Sequence, residues 1–244
     1  MNLDFLTPSI GADVVTRSSM ESQSRAAGGR FELRDGWNVA VEYTGSADAA
    51  AGTVGWADVS HLTKLELQGE SDAIDAAAGT QLPFGAAVRR DDAWWCRLTQ
   101  TRALVVGGRP VLSAAAGGRP ALIDAAGVEV VDVTSSFAAL TLVGPLARET
   151  FARFCAIDLR PRVAPLRALR PGSVGRQPAI VIREGEQRFL FLFGWATSEY
   201  MWSVVADAGG HLGGRPLGVD QLASFPIAEP GDEAAMSERE DDGA

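Results

Sequence analysis

Two stretches of the chain begin alike, and this repeat restricts the fold more than any other feature. Residues 58–79 read DVSHLTKLELQGESDAIDAAAG, and residues 132–159 read DVTSSFAALTLVGPLARETFARFCAIDL. Each opens Asp-Val-Ser/Thr and continues as a short alternating strand, with Leu65 and Leu67 in one copy and Leu140 and Leu142 in the other. Glycine comes next, Gly69 or Gly144, and then a helix-forming segment. In the second copy Pro145 suits a first helical position, and Ala147, Phe151, Phe154 and Cys155 make one apolar stripe. Glycine lies eleven residues after Asp58 but twelve after Asp132; a turn insertion accounts for the difference, and so would chance.

The segments after the two copies also match. Residues 84–106 read as strands joined by short polar turns, and residues 179–193 as a hairpin around Glu-Gly-Glu-Gln. A glycine, Gly107 or Gly194, precedes another helix in each half. The earlier helix is RPVLSAAAGG, residues 109–118. The later one is capped by Ser198, buries Met201, Val204, Val205 and Ala208, and ends at Gly209. Each half thus reads β-α-β-β-α, with room for a further strand. The expected class is α+β, two pseudo-duplicated halves whose sheets each pack helices on one face. The expected organisation is an N-terminal extension (1–27), a first half (28–130), a second half (131–228) and an acidic, disordered tail (229–244). Residues 160–178, with five arginines, are expected to be a solvated connector rather than an element.

Composition narrows the function classes. The net charge is −9, but the tail carries seven acids against one arginine, which leaves about −3 for the body. No basic face interleaved with aromatics points to nucleic acid. No apolar run approaches the roughly 18 residues that span a bilayer, and the acidic start MNLD does not read as a signal peptide. Cys96 and Cys155 are too few for a disulfide scaffold or a metal site, and suit reduced thiols in a cytoplasmic protein. No dinucleotide fingerprint or phosphate loop is present, so flavin or nicotinamide held by this chain alone is not expected.

The residues offer four sets of candidates. Asp58 and His61 either present themselves to a ligand or, for the aspartate, set the turn that starts a strand. Asp91 and Asp92 are a paired-carboxylate candidate for acid–base work, or a polar turn beside Arg89 and Arg90. Trp94, Trp95, Trp195 and Trp202 either stack a flat heterocycle or serve the core and interfaces. Trp94 and Trp95, adjacent on a strand, face opposite ways, so one is expected inward and one outward. The arginine-rich connector either docks an acid-bearing partner or ligand, or is a solvated loop.

The sequence also resembles a known superfamily. Ala57-Asp58-Val59-Ser60-His61-Leu62, with a strand and glycine after it, is similar to the FDVSHM hallmark of the glycine-cleavage T-protein (aminomethyltransferase) family. GRFELRDGWNVAVEY (29–43), DDAWWCRL (91–98) and GGRPLGVDQLASF (213–225) are similar to further segments of that family, although Arg89-Arg90 stand where it has Gly-Gly. SSFAALTLVGPLARETFARFCAIDLRPR, the connector with Pro171-Gly172-Ser173, and FLFLFGWATSEYMWSVVADAG resemble a narrower relative, the gamma subunit of heterotetrameric sarcosine oxidase. Together these similarities cover about residues 28–225.

The resemblance implies a T-protein-like, folate-binding fold without the family's C-terminal barrel. It places Asp92 where the family has its catalytic aspartate, and makes Asp58, His61 and Trp95 the folate-binding candidates. Arg162, Arg167 and Arg170 of the connector, with Trp202, are the candidates for a partner interface, and histidine and cysteine are too sparse for a metal to be expected. The resemblance leaves two functions as expectations. One is an assembly subunit of a flavin-dependent sarcosine oxidase-type amine oxidase or demethylase, with flavin on the partner subunits. The other is a stand-alone tetrahydrofolate-dependent aminomethyltransferase-like enzyme, or a folate-binding accessory protein without turnover.

Overall fold

The structure, a computed structural model, describes residues 15–108, 114, 115, 119, 120 and 127–228. The entry segment comprises β1 (Thr16–Arg17), α1 (Glu21–Ala26), β2 (Arg30–Arg34), β3 (Trp37–Glu42) and α2 (Ser46–Gly52). The first half continues with β4 (Gly55–Asp58), β5 (Thr63–Gly69), α3 (Ser71–Ala78), β6 (Ala87–Arg90), β7 (Ala93–Thr99) and β8 (Arg102–Gly107). Two short strands come next, β9 (Ala114–Ala115) and β10 (Arg119–Pro120). The second half holds β11 (Val128–Asp132), β12 (Phe137–Val143), α4 (Ala147–Ala152), β13 (Leu169–Val174), β14 (Gln177–Gly185), β15 (Arg188–Gly194), α5 (Ser198–Gly210) and β16 (Arg215–Pro216).

The two large sheets have one plan. One runs β6-β7-β8-β5-β11 and the other β13-β14-β15-β12-β4, with β16 added at its end. Each half therefore supplies four strands to its own sheet. The fifth comes from the strand that precedes the repeat: β4 pairs with β12, and β11 pairs with β5. The chain changes sheet twice, at Asp58-Val59-Ser60 and at Asp132-Val133-Thr134.

Matching hydrogen bonds fix the two crossings. Asp58 Oδ1 accepts from Ser60 N at 2.9 Å, and Asp132 Oδ1 accepts from Thr134 N at 2.8 Å. Val59 N donates to Ala139 O at 3.0 Å, and Val133 N donates to Lys64 O at 2.9 Å. Ala139 N donates to Ser60 Oγ at 3.1 Å, and Lys64 N donates to Thr134 Oγ1 at 3.0 Å. Lys64 and Ala139 thus occupy equivalent positions. The additional residue of the second copy is taken up in the 3₁₀ turn Thr134–Ser136. The repeat glycines also have a common cause. A Cβ on Gly144 (φ +104°) would lie 2.5 Å from Ala50 O, and one on Gly69 would lie 2.6 Å from Gly127 O.

Both faces of both sheets are covered. Trp56, Leu140, Phe189, Phe191 and Phe193 face α4 and α5, where Phe151 meets Phe189 and Phe191 edge-on at centroid distances of 5.6 and 5.2 Å. Leu190 and Leu192, which alternate with those phenylalanines, join Trp94, Cys96, Leu104 and Val106 between the sheets. Leu65, Leu67, Trp95 and Val105 pack under α3 with Ile74 and Ala78. The layers run helix, sheet, sheet, helix. This is why FLFLF reads as a continuous apolar run rather than as an alternation.

The structure departs from the expected elements in three places. The connector holds an element: β13 is an edge strand paired along β14 through the two-residue turn Gly175-Arg176, with φ values of 55° and 62°. Pro171 is tolerated there because an edge strand leaves one side unpaired. Trp94 and Trp95 do face opposite ways, yet both are buried, since the second face of their sheet is also covered. Of the helix expected at 109–118, Ala114 and Ala115 instead form β9, antiparallel to β10; its other residues, like the tail 229–244, lie outside the described residues.

A third, three-stranded sheet (β1-β3-β2) sits against this body. The 3₁₀ helix Val219–Ser224 fastens it. Gln221 Oε1 accepts from Tyr43 N (3.0 Å) and Gly218 N (2.9 Å), Gln221 Nε2 donates to Tyr43 O at 2.9 Å, and Arg34 pairs with Asp220.

Candidate functional site

The crossing at Asp58 gathers the polar groups of the interior. Asp58 is held by Ser18 and Ser60, and burial raises its carboxyl above the usual range against those bonds and Lys64. Lys64, the only lysine in the chain, is fully buried, and its Nζ donates to Ser60 O at 2.6 Å. Burial pulls its ammonium down to about 7, against the opposing pull of Asp58 and Asp132. A crevice of about 10 Å³ beside Asp58, lined also by Ser18, Asn38 and His61, has room for roughly one water.

His61 projects from the same turn to a second, larger space. A cleft of about 590 Å³ is lined by His61, Arg89, Thr141, Glu184, Arg188 and apolar residues between Val219 and Ile227, among them Leu222 and Phe225. His61 is half-buried there, and burial, with the nearby charges of Lys64 and Arg34, pulls its imidazole down to about 4. It is therefore neutral at pH 7, able to donate or accept a hydrogen bond but not to offer a cation.

Cross-half contacts build the opposite wall. Trp94 Nε1 of β7 donates to Glu184 Oε1 of β14 at 2.8 Å, and Arg188 Nε donates to Glu184 Oε2 at 2.8 Å. Arg188 Nη1 also holds the carbonyls of Leu222 (3.1 Å) and Phe225 (2.8 Å). The Arg89 guanidinium lies 5.1 Å over the Trp94 ring. Both oxygens of the buried Glu184 are thus in use, Arg188 is held by that carboxylate and two carbonyls, and Arg89 is paired with the exposed Asp92. Arg89, whose partner Asp92 faces solvent, is the cation that an amphipathic anion entering the cleft would meet.

The candidates named from the sequence divide among several places. Asp58 lies under the crevice and His61 at the cleft rim. Trp95 packs beneath α3, in a different layer from both. Asp91 and Asp92 form the two-residue turn between β6 and β7, at φ 49° and 58°. They correspond to Gly175-Arg176 of the other half, and the Asp92 side chain is 85% exposed and bonded to Arg89 at 3.1 Å. Trp202, expected at a partner surface, is instead 6% exposed and meets Trp56 edge-on at 6.3 Å. Arg162 is exposed; Arg170 binds the carbonyls of Gly85 and Val163; Arg167 N donates to Arg183 O at 2.8 Å.

Lys64, Glu184 and Arg188 were not among the residues singled out from the sequence. For Lys64 a signal exists: one lysine among 22 basic residues, inside the repeat motif. Glu184 and Arg188 sit at a hairpin end, where charged residues ordinarily mark a solvated turn. Among the described residues no three His, Cys, Asp or Glu side chains come together as a metal cluster, and no helix is long and apolar enough to cross a membrane.

Comparison with known proteins agrees with this architecture. No family model matches the chain. It is 28% identical over 225 residues to an aminomethyltransferase of Frankia alni, covering 83% of this chain and 60% of the relative. The chain thus spans less than two thirds of that relative's length. A chain of heterotetrameric sarcosine oxidase from Corynebacterium sp. U-96 superimposes with a TM-score of 0.61 at 21% identity, covering 81% of this chain and 96% of that one. Glycine cleavage system aminomethyltransferase T from Bartonella henselae superimposes with a TM-score of 0.66 at 15% identity, covering 86% and 62%. Two pseudo-equivalent sheets with exchanged fifth strands, packed face to face between helices, are the form in which this chain carries the T-protein (aminomethyltransferase) fold.

Proposed function

We propose that this chain is a gamma-like assembly subunit of a multi-subunit, flavin-dependent sarcosine oxidase-type N-methyl amine oxidase or demethylase, linked to tetrahydrofolate one-carbon metabolism. Flavin and redox chemistry belong to partner chains in this reading. The observation that carries it is the likeness to a sarcosine oxidase chain, which the superposition takes in over 96% of its length at a TM-score of 0.61. The position of Asp92 supports it too, because a solvent-facing turn gives a carboxylate neither a substrate pocket nor a dry environment. Co-expression with a sarcosine oxidase-type flavoprotein of the same cells, then size-exclusion chromatography, tests the reading. Co-elution of this chain with flavin absorbance is expected; elution of the chain by itself overturns it.

The cleft favours a second reading, a folate-type ligand held by this chain. Its volume falls in the range of small-molecule sites, roughly 300–1,000 Å³. Arg89 offers a cation to a carboxylate in exchange for its exposed partner Asp92, and Leu62, Phe225 and Ile227 offer apolar contact. The fit is partial. Of Asp58, His61 and Trp95 only His61 lines the cleft, Phe225 is its one aromatic lining residue, and Glu184 is already satisfied. Calorimetric titration of the isolated chain with tetrahydrofolate decides this: micromolar binding that Arg89→Ala weakens supports it, and no heat removes it.

A further inference from the structure

We propose that the face around Phe84, Val163 and Arg170 docks an acidic, apolar-pocketed surface of the flavin-bearing partner; this rests on the assembly reading above. Phe84 is 63% exposed, yet its backbone is pinned. Residue 84 bridges to Arg97 of β7, Gly85 O accepts from Leu169 N at 2.9 Å, and Ala87 N donates to Arg167 O at 2.8 Å. Leu82 N, on the other side, donates to Asp75 Oδ1 at 2.8 Å. An aromatic on a fixed backbone loses little freedom on burial, which is the character of an interface anchor.

Arg170 joins this loop to the connector. Its guanidinium donates to Gly85 O at 2.5 Å and to Val163 O at 2.6 Å, so the loops of Phe84 and Val163 (39% exposed) lie side by side. Arg170 is bound to carbonyls rather than to a carboxylate, and the exposed Arg162 has Asp158 near it, a carboxylate already bonded to Arg160. In a chain of net charge −9 this face is locally cationic as well as apolar. Arginine with aromatic and aliphatic side chains is the composition of an interface core, and its charge selects an acidic counterpart.

The test uses the complex purified through this chain and three variants, Phe84→Asp, Arg162→Glu and, on the entry sheet, Leu33→Asp, whose side chain is 62% exposed. Phe84→Asp is expected to weaken association with the flavin-containing chain at least about tenfold, with the thermal midpoint unchanged. Arg162→Glu is expected to weaken it most at low salt. It keeps the test alive should Phe84→Asp fail to fold. Leu33→Asp is expected to leave association unchanged. If the wild-type chain brings the flavoprotein with it and both Phe84→Asp and Arg162→Glu do so equally well, the surface is wrong while assembly stands. If the wild-type chain brings none, the assembly reading fails and the surface falls with it.

Discussion

Replacing Lys64 with methionine removes the only lysine ammonium enclosed between the two sheets. The side chain is fully buried, makes one hydrogen bond to Ser60 O, and is pulled down to about 7 chiefly by burial. An unfolded lysine titrates near 10.4. Between these values the unfolded chain binds more protons than the folded one, so stability rises with pH. The burden is fully present below about pH 7 and lifts as pH climbs toward 10. From pH 7 to 8.5 this one group yields a gain of about 2 kcal/mol. Above that window the buried Cys96 thiol, pushed up by burial, acts in the opposite direction, so the comparison belongs below pH 8.5. Urea unfolding at pH 7.0 and 8.5 is the assay, with wild type and Lys64→Met side by side. The wild type is expected to gain about 2 kcal/mol over the interval and the variant to lose that slope. At pH 7 the variant is expected to equal or exceed wild type, because a similar-sized apolar side chain replaces a buried charge. Equal slopes, or a variant several kcal/mol weaker at pH 7, would show that Lys64 acts instead as a charged bridge between Asp58 and Asp132.

The fold and the cleft carry further expected outcomes. Ser60→Ala and Thr134→Val each remove the side-chain acceptor of a buried amide across the sheets, so each is expected to cost about 1–3 kcal/mol by chemical denaturation. A large cost at one and none at the other would break the equivalence of the two crossings. Phe191→Ala empties the contact with Phe151 and is expected to cost roughly 3–5 kcal/mol, read as a lowered thermal midpoint. His61, pulled down to about 4, is expected to stay neutral above pH 5 in an NMR ring-proton titration. Its folded value lies below the ordinary one, so its contribution to stability is lost as pH falls from about 6.5 toward 4. A midpoint at 6.5 would place the ring in water rather than at the cleft wall.

The fold was legible wherever local pattern and tertiary demand agree. Asp-Val-Ser and Asp-Val-Thr mark the crossings because short polar side chains can serve a turn and the neighbouring strand at once. The hairpins at 84–106 and 179–193 read correctly for the same reason. β13 escaped because an edge strand carries Pro, Gly and Ser with no apolar alternation. Lys64 escaped because Thr-Lys-Leu-Glu-Leu reads as a half-solvated strand, whereas its polar face turns toward the other sheet. The cleft is made by Trp94 meeting Glu184, residues ninety positions apart, and no local pattern encodes such a meeting.

The proposed function depends most directly on whether the chain exists in its own cells as part of a larger flavin-bearing assembly. Native mass spectrometry of the chain isolated from those cells answers this. The expected result is a species that contains this 25.7 kDa chain together with flavin-bearing chains, separating only on activation. The chain found by itself, transferring an aminomethyl group to tetrahydrofolate without help, would contradict it.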